Sequence, residues 1–143
     1  MRSRILWVAA IVLSALSATA LGAGASTYRG KIAGDGVMHF RAHVAKGAIV
    51  DVTALGWKRL MIDCKEGKFA FRGGFKHRRF AVEGSEFHGS GSGGGAYVSH
   101  ARVTGSFRKH GARVSGTVRV HGDLDSHHTN CDSGVKRWSA HRR

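Results

Sequence analysis

The chain has 143 residues, with 23 Lys and Arg against 9 Asp and Glu, 10 His, 21 Gly, 2 Cys and no Pro, and a formal charge of +14. That length suits one ordinary domain and leaves no room for a second. At 42% hydrophobic and 22% charged the composition is globular, which excludes a disordered charged tail, and without a Gly-x-y period it is no collagen-like fibre.

Residues 1–25 stand apart from the rest. Arg2 and Arg4 give a positive start, Ile5 to Leu21 is an uncharged apolar run, and Ala23-Gly24-Ala25 offers a small-x-small cleavage pattern, with Ala18-Thr19-Ala20 as a second. This layout predicts an N-terminal signal helix over 1–25, a mature start near Ser26, and a secreted or extracytoplasmic domain over 26–143. The alternative is an uncleaved membrane anchor, because about 17 apolar residues is the lower edge of a bilayer span. The run ends in Ala, Gly and Ser instead of a charged flank, which favours cleavage. Without residues 1–25 the chain keeps 21 basic and 9 acidic residues, a formal charge of +12 on 118 residues, so the excess belongs to the domain.

The two cysteines, Cys64 and Cys131, both lie in the exported part, where oxidising conditions allow a disulfide. Such a staple suits a domain with a modest core. A metal or nucleophile site is the rival reading, but neither Cys has a second Cys two to four residues away, as zinc sites usually do.

Along the mature chain, apolar residues recur with period two, the mark of half-buried strands. Thr27 to Ile32 opens. From Val37 to Val44, Met38, Phe40, Ala42 and Val44 share a face opposite His39, Arg41 and His43; from Ala48 to Leu55, Val50, Val52 and Ala54 alternate with Asp51 and Thr53. Lys46-Gly47 between them predicts a hairpin. Leu60, Ile62 and Cys64 continue a weaker alternation, and Glu66-Gly67 turns the chain towards Phe69 and Phe71, a second hairpin. After the basic segment Lys76-His77-Arg78-Arg79 come a strand over Phe80 to Glu83, the turn Gly84-Ser85-Glu86 and a short run around Phe87. Gly89 to Gly95 reads as a flexible loop. The clearest strands follow. Tyr97, Ser99, Ala101, Val103, Gly105 and Phe107 face away from Val98, His100, Arg102, Thr104 and Ser106, and after Lys109-His110-Gly111, Ala112, Val114, Gly116, Val118 and Val120 face away from Arg113, Ser115, Thr117, Arg119 and His121. A last strand over Val135 to Ala140 carries Trp138. Eight or nine short strands with frequent turn signals predict an all-β fold, an antiparallel sandwich or a small barrel.

The chain resembles a group of small exported bacterial β-proteins known only as hypothetical. The resemblance rests on Tyr28-Arg29-Gly30, Cys64, Val82-Glu83-Gly84-Ser85-Glu86-Phe87, Val103-Thr104-Gly105-Ser106-Phe107, Gly111 with Val114-Ser115-Gly116-Thr117, and Cys131-Asp132-Ser133-Gly134 before Trp138, a Cys-x-x-Gly-x-x-x-Trp ending. It implies a disulfide-stapled β-sandwich and brings no activity with it. The many His and Arg and the long glycine run depart from the group.

Several constellations invite chemistry. The outward residues His39, Arg41, His43, Arg78, Arg79, His100, Arg102, Arg113, Arg119 and His121 are candidates for binding polyanions, either an anionic cell-surface polymer or nucleic acid, if their strands share a sheet. A solvated, soluble exterior explains the same residues. Aromatics do not interleave with them, which disfavours base stacking. Unperturbed imidazoles titrate near about pH 6.5, so acid would raise the charge. Asp123, Asp125, His127 and His128 could ligate Zn or Cu, although their spacing matches no closed tetrahedral motif or calcium loop, and a loop leading into a disulfide is the plainer reading. Gly89 to Gly94 matches G-x-G-x-x-G formally, but a dinucleotide fingerprint must follow a parallel strand and open a helix. Glu83 and Glu86 are better read as turn residues than as a paired-carboxylate site. The sequence therefore predicts a non-catalytic exported β-domain with no cofactor, with a small secreted hydrolase or metal-dependent enzyme as the alternative.

Overall fold

The computed structural model describes residues 24–92 and 99–143. Of the signal helix predicted over 1–25, residues 1–23 lie outside the described residues, as do Gly93 to Val98; Gly24 and Ala25 are not helix but the start of a strand, held opposite Val44 and His43 by ladder pairing. The rest forms nine antiparallel strands: β1 (Gly24–Ile32), β2 (Gly36–Ala45), β3 (Ala48–Cys64), β4 (Gly67–Ala81), β5 (Glu86–Ser92), β6 (Ser99–Arg108), β7 (Arg113–Gly122), β8 (Cys131–Asp132) and β9 (Lys136–Arg142).

The neighbour order is β4-β3-β2-β1-β9-β7-β6-β5, and the two-residue β8 pairs with both β3 and β7. That bridge closes six strands, β1, β2, β3, β8, β7 and β9, into a barrel, with β4, β5 and β6 added outside the ring. Of the two predicted architectures the small barrel is therefore the one adopted, and the sandwich is set aside. The Cys64–Cys131 disulfide joins the last residue of β3 to the first of β8, at the point of closure. Asp63 and Asp132 stand directly opposite each other there. Like charges in that position repel, and each has a counter-ion: Lys68 lies 3.6 Å from Asp63, and Arg119 lies 2.7 Å from Asp132.

Turn chemistry fixes the hairpins. Lys46 and Gly47 have φ of 52° and 76°, the positive pair that a two-residue hairpin needs to match strand twist. The connection from β6 to β7 uses the same left-handed region at Lys109, His110 and Gly111. The Gly111 carbonyl accepts the buried Tyr28 hydroxyl, which ties that turn to β1.

The core is aromatic at its centre. Tyr28, Phe40, Phe87, Phe107 and Trp138 meet with ring centroids 4.9–6.3 Å apart, and Trp57, Phe75 and Phe80 form a neighbouring group. Small residues make room for them. A Cβ on Gly105 would lie 2.2 Å from the Phe87 ring, so the glycine is what lets that ring seat over β6.

Two segments differ from the expectation. β3 and β4 are long, at 17 and 15 residues, because bulges absorb the breaks in alternation. Val50 is an extra residue between the pairs His43–Asp51 and Val44–Ile49, and Lys76, His77 and Arg78 together oppose only Ala54. Val50 and Ala54, predicted to face inward with Val52, are therefore exposed, while Leu55 and Trp57 take the inner face. The basic segment is part of β4, not a break before a new strand. The expected loop at Gly89 is likewise strand, paired from Gly89–Val103 to Ser92–His100. Phe80 and Phe75 pack over Gly89 and Gly91, where added Cβ atoms would come within 3.0 and 2.8 Å of the rings.

Candidate polyanion-binding wall

The strands carrying the predicted basic residues do share one sheet, but β2 is separated from β7 and β6 by β1 and β9. The ten candidates accordingly divide. His39, Arg41, His43, Arg78 and Arg79 lie on the β2–β3–β4 side, and His100, Arg102, Arg113, Arg119 and His121 on the β6–β7 side. Three of them are occupied by carboxylates. His43 Nδ1 and Arg79 both engage the buried Asp51, Arg79 at 3.1 Å, and Arg119 forms a two-pronged pair with Asp132 at 3.1 and 2.7 Å. The Arg119 hydrogen bonds hold the Asp132 carboxyl below the usual carboxylate range. Arg78 sits over the Phe80 ring, 5.7 Å from its centroid. Arg102 lies opposite Arg119, and His100 opposite His121, their rings 5.4 Å apart with Ser92 Oγ on His100 Nδ1 at 2.8 Å.

What joins the two sides is a cross-strand row that alternation along each strand does not reveal. His39 on β2 is paired with Arg29 on β1, Arg29 with His141 on β9, His141 with Arg113 on β7, and Arg113 with Arg108 on β6. Five cationic or protonatable residues thus stand directly opposite one another on adjacent strands, spaced by about 4.8 Å in the hydrogen-bonding direction. All point outward, because their sequence neighbours Tyr28, Phe40, Ala140, Val114 and Phe107 fill the interior. Among the described residues none of the five takes part in an ion pair. Arg29, Arg108 and His141 were not among the predicted candidates. Arg108 continues the outward face of His100 and Arg102 at the end of β6 and was open to the same reading, whereas Arg29 and His141 lie on β1 and β9, whose own alternation gave no sign that they fill the gap between β2 and β7.

The electrostatics of the row register at His39. Partial burial and then the positive fields of Lys58, Arg72 and Arg29 push its imidazole below the ordinary histidine value. Its ring lies over Gly56, where a Cβ would come within 2.7 Å of Nε2. At the other end, Arg108, Lys109, Arg113, His141, Ser115 and Ser139 line a half-open depression of about 600 Å³.

The remaining candidates have structural work. Asp123 accepts the Asn130 N–H at 2.7 Å, and Asp125 accepts the His127 N–H at 2.8 Å and pairs with His128 Nδ1 at 2.9 Å. The His128 hydrogen bond holds the Asp125 carboxyl below its ordinary range, and the His128 ring packs on Phe69 with centroids 4.0 Å apart. The loop from Asp123 to Asn130 is therefore organised by its own turns. Among the described residues no group of three or more His, Cys, Asp or Glu is placed to hold a metal ion. Among the described residues the two His–carboxylate pairs are His128 with Asp125 and His43 with the buried Asp51; the second has the geometry of a catalytic dyad, but neither of its residues lines a described depression, and no hydroxyl or thiol among the described residues bonds the imidazole. Glu83 and Glu86 form the bridge closing the β4–β5 turn.

The fold and the wall define a disulfide-closed, all-β antiparallel barrel with a basic row crossing four of its strands and the adjoining β6. No known family model matches the chain, and neither does any curated protein or solved structure. The single disulfide implied by the resemblance to hypothetical exported β-proteins is present. In the Cys-x-x-Gly-x-x-x-Trp segment Gly134 takes a left-handed φ of 64° and Trp138 is buried.

Proposed function

We propose that the protein is an exported, non-catalytic binding module whose barrel wall takes up anionic polymers. One observation supports this above the others: the row His39–Arg29–His141–Arg113–Arg108, five positions deep and without a carboxylate partner among the described residues. Arg113 and Arg108 stand directly opposite as like charges and repel, and the other three opposed pairs each set a histidine against an arginine, so an anion lying across the strands would relieve the first and add attraction along the row. A solvated surface needs charges, but it does not need them aligned and uncompensated.

The test is retention of the protein on heparin and duplex-DNA columns across a salt gradient. Binding through phosphate or carboxylate charge predicts elution well above physiological salt, and an Arg29→Gln, Arg113→Gln variant that elutes earlier from both. On DNA, removing two contacts lowers the slope of log K against log salt by about 2. Elution of the unaltered protein at low salt from both columns sinks the reading. The hydrolase alternative rests on His43 and Asp51 alone; turnover of an ester or glycoside panel that disappears in His43→Ala would favour it.

A further inference from the structure

We infer that the polymer for this wall is an acidic polysaccharide and not a nucleic acid, an inference that rests on the polyanion reading and names its ligand. It stands on what lies beside the cationic row. On each strand the next outward residue is two positions along, and on β1, β9, β7 and β6 those residues are Lys31, Ser139, Ser115 and Ser106, themselves paired strand to strand. Each of the four strands therefore presents a cation or imidazole next to a hydroxyl or a lysine. A further row follows, in which Arg137 opposes Thr117 and Thr117 opposes Thr104, with the two threonine hydroxyls 2.8 Å apart.

An acidic sugar residue carries the complementary set: one anionic group and several hydroxyls held a few ångströms apart on a rigid ring. Serine and threonine hydroxyls both donate and accept, so they match sugar hydroxyls whichever way those point. The half-open depression at this place, about 600 Å³, is lined by Arg108, Lys109, Arg113 and His141 together with Ser115 and Ser139, so charge and hydroxyl stand side by side in it. A nucleic acid would be held differently. Its phosphates would use the arginines, but single strands also call for aromatic platforms. Among the described residues Tyr28, Phe40, Phe107 and Trp138 are turned into the core, Phe69 and Phe71 are half-buried on β4 away from the row, and the exposed large hydrophobics are Val50, Met61 and Val135. For duplex DNA the hydroxyl rows would be idle, because phosphate charge supplies nearly all of non-specific affinity.

The experiment is titration calorimetry of the disulfide-bonded protein with polygalacturonate, oligo-dT and duplex DNA at one ionic strength. It is repeated on Ser115→Ala, Ser139→Ala, which removes two hydroxyls and no charge, and on Arg29→Gln, Arg113→Gln. Polygalacturonate is expected to bind more tightly than either nucleic acid. The serine variant should lose about fivefold to tenfold on polygalacturonate, the scale of one or two net hydrogen bonds, and nothing on DNA. Both serines are exposed, and the thermal midpoint is read alongside; if the double variant is destabilised, the two single variants carry the comparison. Equal binding of all three polymers with no loss in the serine variants overturns the polysaccharide inference and leaves the polyanion reading standing, as does tighter binding of DNA. Absence of binding to every polymer, or binding indifferent to the arginine pair, overturns the polyanion reading itself.

Discussion

Replacing both cysteines by serine tests how the barrel is closed. β8 contributes a single opposed pair to β3, Asp63–Asp132, and two to β7, His121–Asp132 and Gly122–Cys131. So few ladder bonds give the closure little strength of their own, and the disulfide must supply most of it. The bridge spans 67 positions of sequence, for which restriction of the unfolded chain is worth about 4 kcal/mol at room temperature. With a urea m-value near 2 kcal/mol/M, that lowers the unfolding midpoint by about 2 M. The thermal midpoint falls by about 15 °C in a domain of this length. Urea unfolding of Cys64→Ser, Cys131→Ser, followed by tryptophan fluorescence and far-UV circular dichroism, measures it, with the wild type under reductant as a second route to the same state. A midpoint within about 0.5 M of the oxidised protein would refute the reasoning. It would mean that closure is carried by the second clasp beside the bridge, where the Glu66 carboxylate accepts Thr129 N–H and Oγ1–H at 2.9 and 2.6 Å and Lys65 N–H bonds the Thr129 carbonyl.

Gly105→Val should destabilise by about 1–3 kcal/mol, because its Cβ would overlap the Phe87 ring in a filled interior; the equivalent change at Gly47, where nothing lies within 4 Å but φ is 76°, tests backbone strain alone. His39 has its folded value below the unfolded one. The unfolded chain therefore binds that proton more readily, and the stability tied to neutral His39, complete above about pH 6.5, is lost as pH falls through the folded value. An NMR titration of its imidazole should give a midpoint below that of an exposed histidine, moving upward when a polyanion is added; a midpoint at the ordinary value with no movement contradicts the crowding by Lys58, Arg72 and Arg29. Raising sodium chloride from about 10 to 150 mM shortens the screening length from about 30 to 8 Å and should raise the thermal midpoint, whereas a fall would show attractive pairs outweighing the row.

Much of the barrel was legible in local sequence, and what was not has a physical cause. Period two identifies β2, β6 and β7, where in-facing Met38, Phe40, Val103 and Val118 alternate without interruption. It fails along β3, because each bulge reverses the phase; Val50 and Ala54 look inward by count and face water. Gly89 and Gly91 looked like loop residues because a glycine that yields space to a ring from a distant strand has the same local signature as one that bends the chain. β8 is too short for any periodicity, and only its Cys131 marks it. The candidate wall was half visible for the same reason. Outward basic residues can be read strand by strand, but the row needs register between strands far apart in sequence, such as Arg29 with His141, and only the closed topology provides that.

That register also separates the row from the other charges on the protein. Asp51 is shared by His43 and Arg79, Asp132 holds Arg119, Asp125 holds His128, and Asp63 faces Lys68. The few carboxylates of the domain are thus spent on bulges, the β8 junction and the long loop, places where the backbone departs from a regular ladder. The regular wall receives none. Arg113 directly opposite Arg108 sets two permanent like charges face to face, which is destabilising, the other opposed pairs of the row set a histidine against an arginine, and nothing in the packing beneath requires either arrangement, since Tyr28, Phe40, Phe107 and Val114 would be buried equally well under a row of threonines. On the polyanion proposal, such a row is left open for counter-ions that come from outside the chain. Bound polyanion should then stabilise this barrel by more than its charge neutralisation on an ordinary basic surface would, and the Arg29→Gln, Arg113→Gln variant should be more stable than the wild type in low salt and less responsive to the polymer.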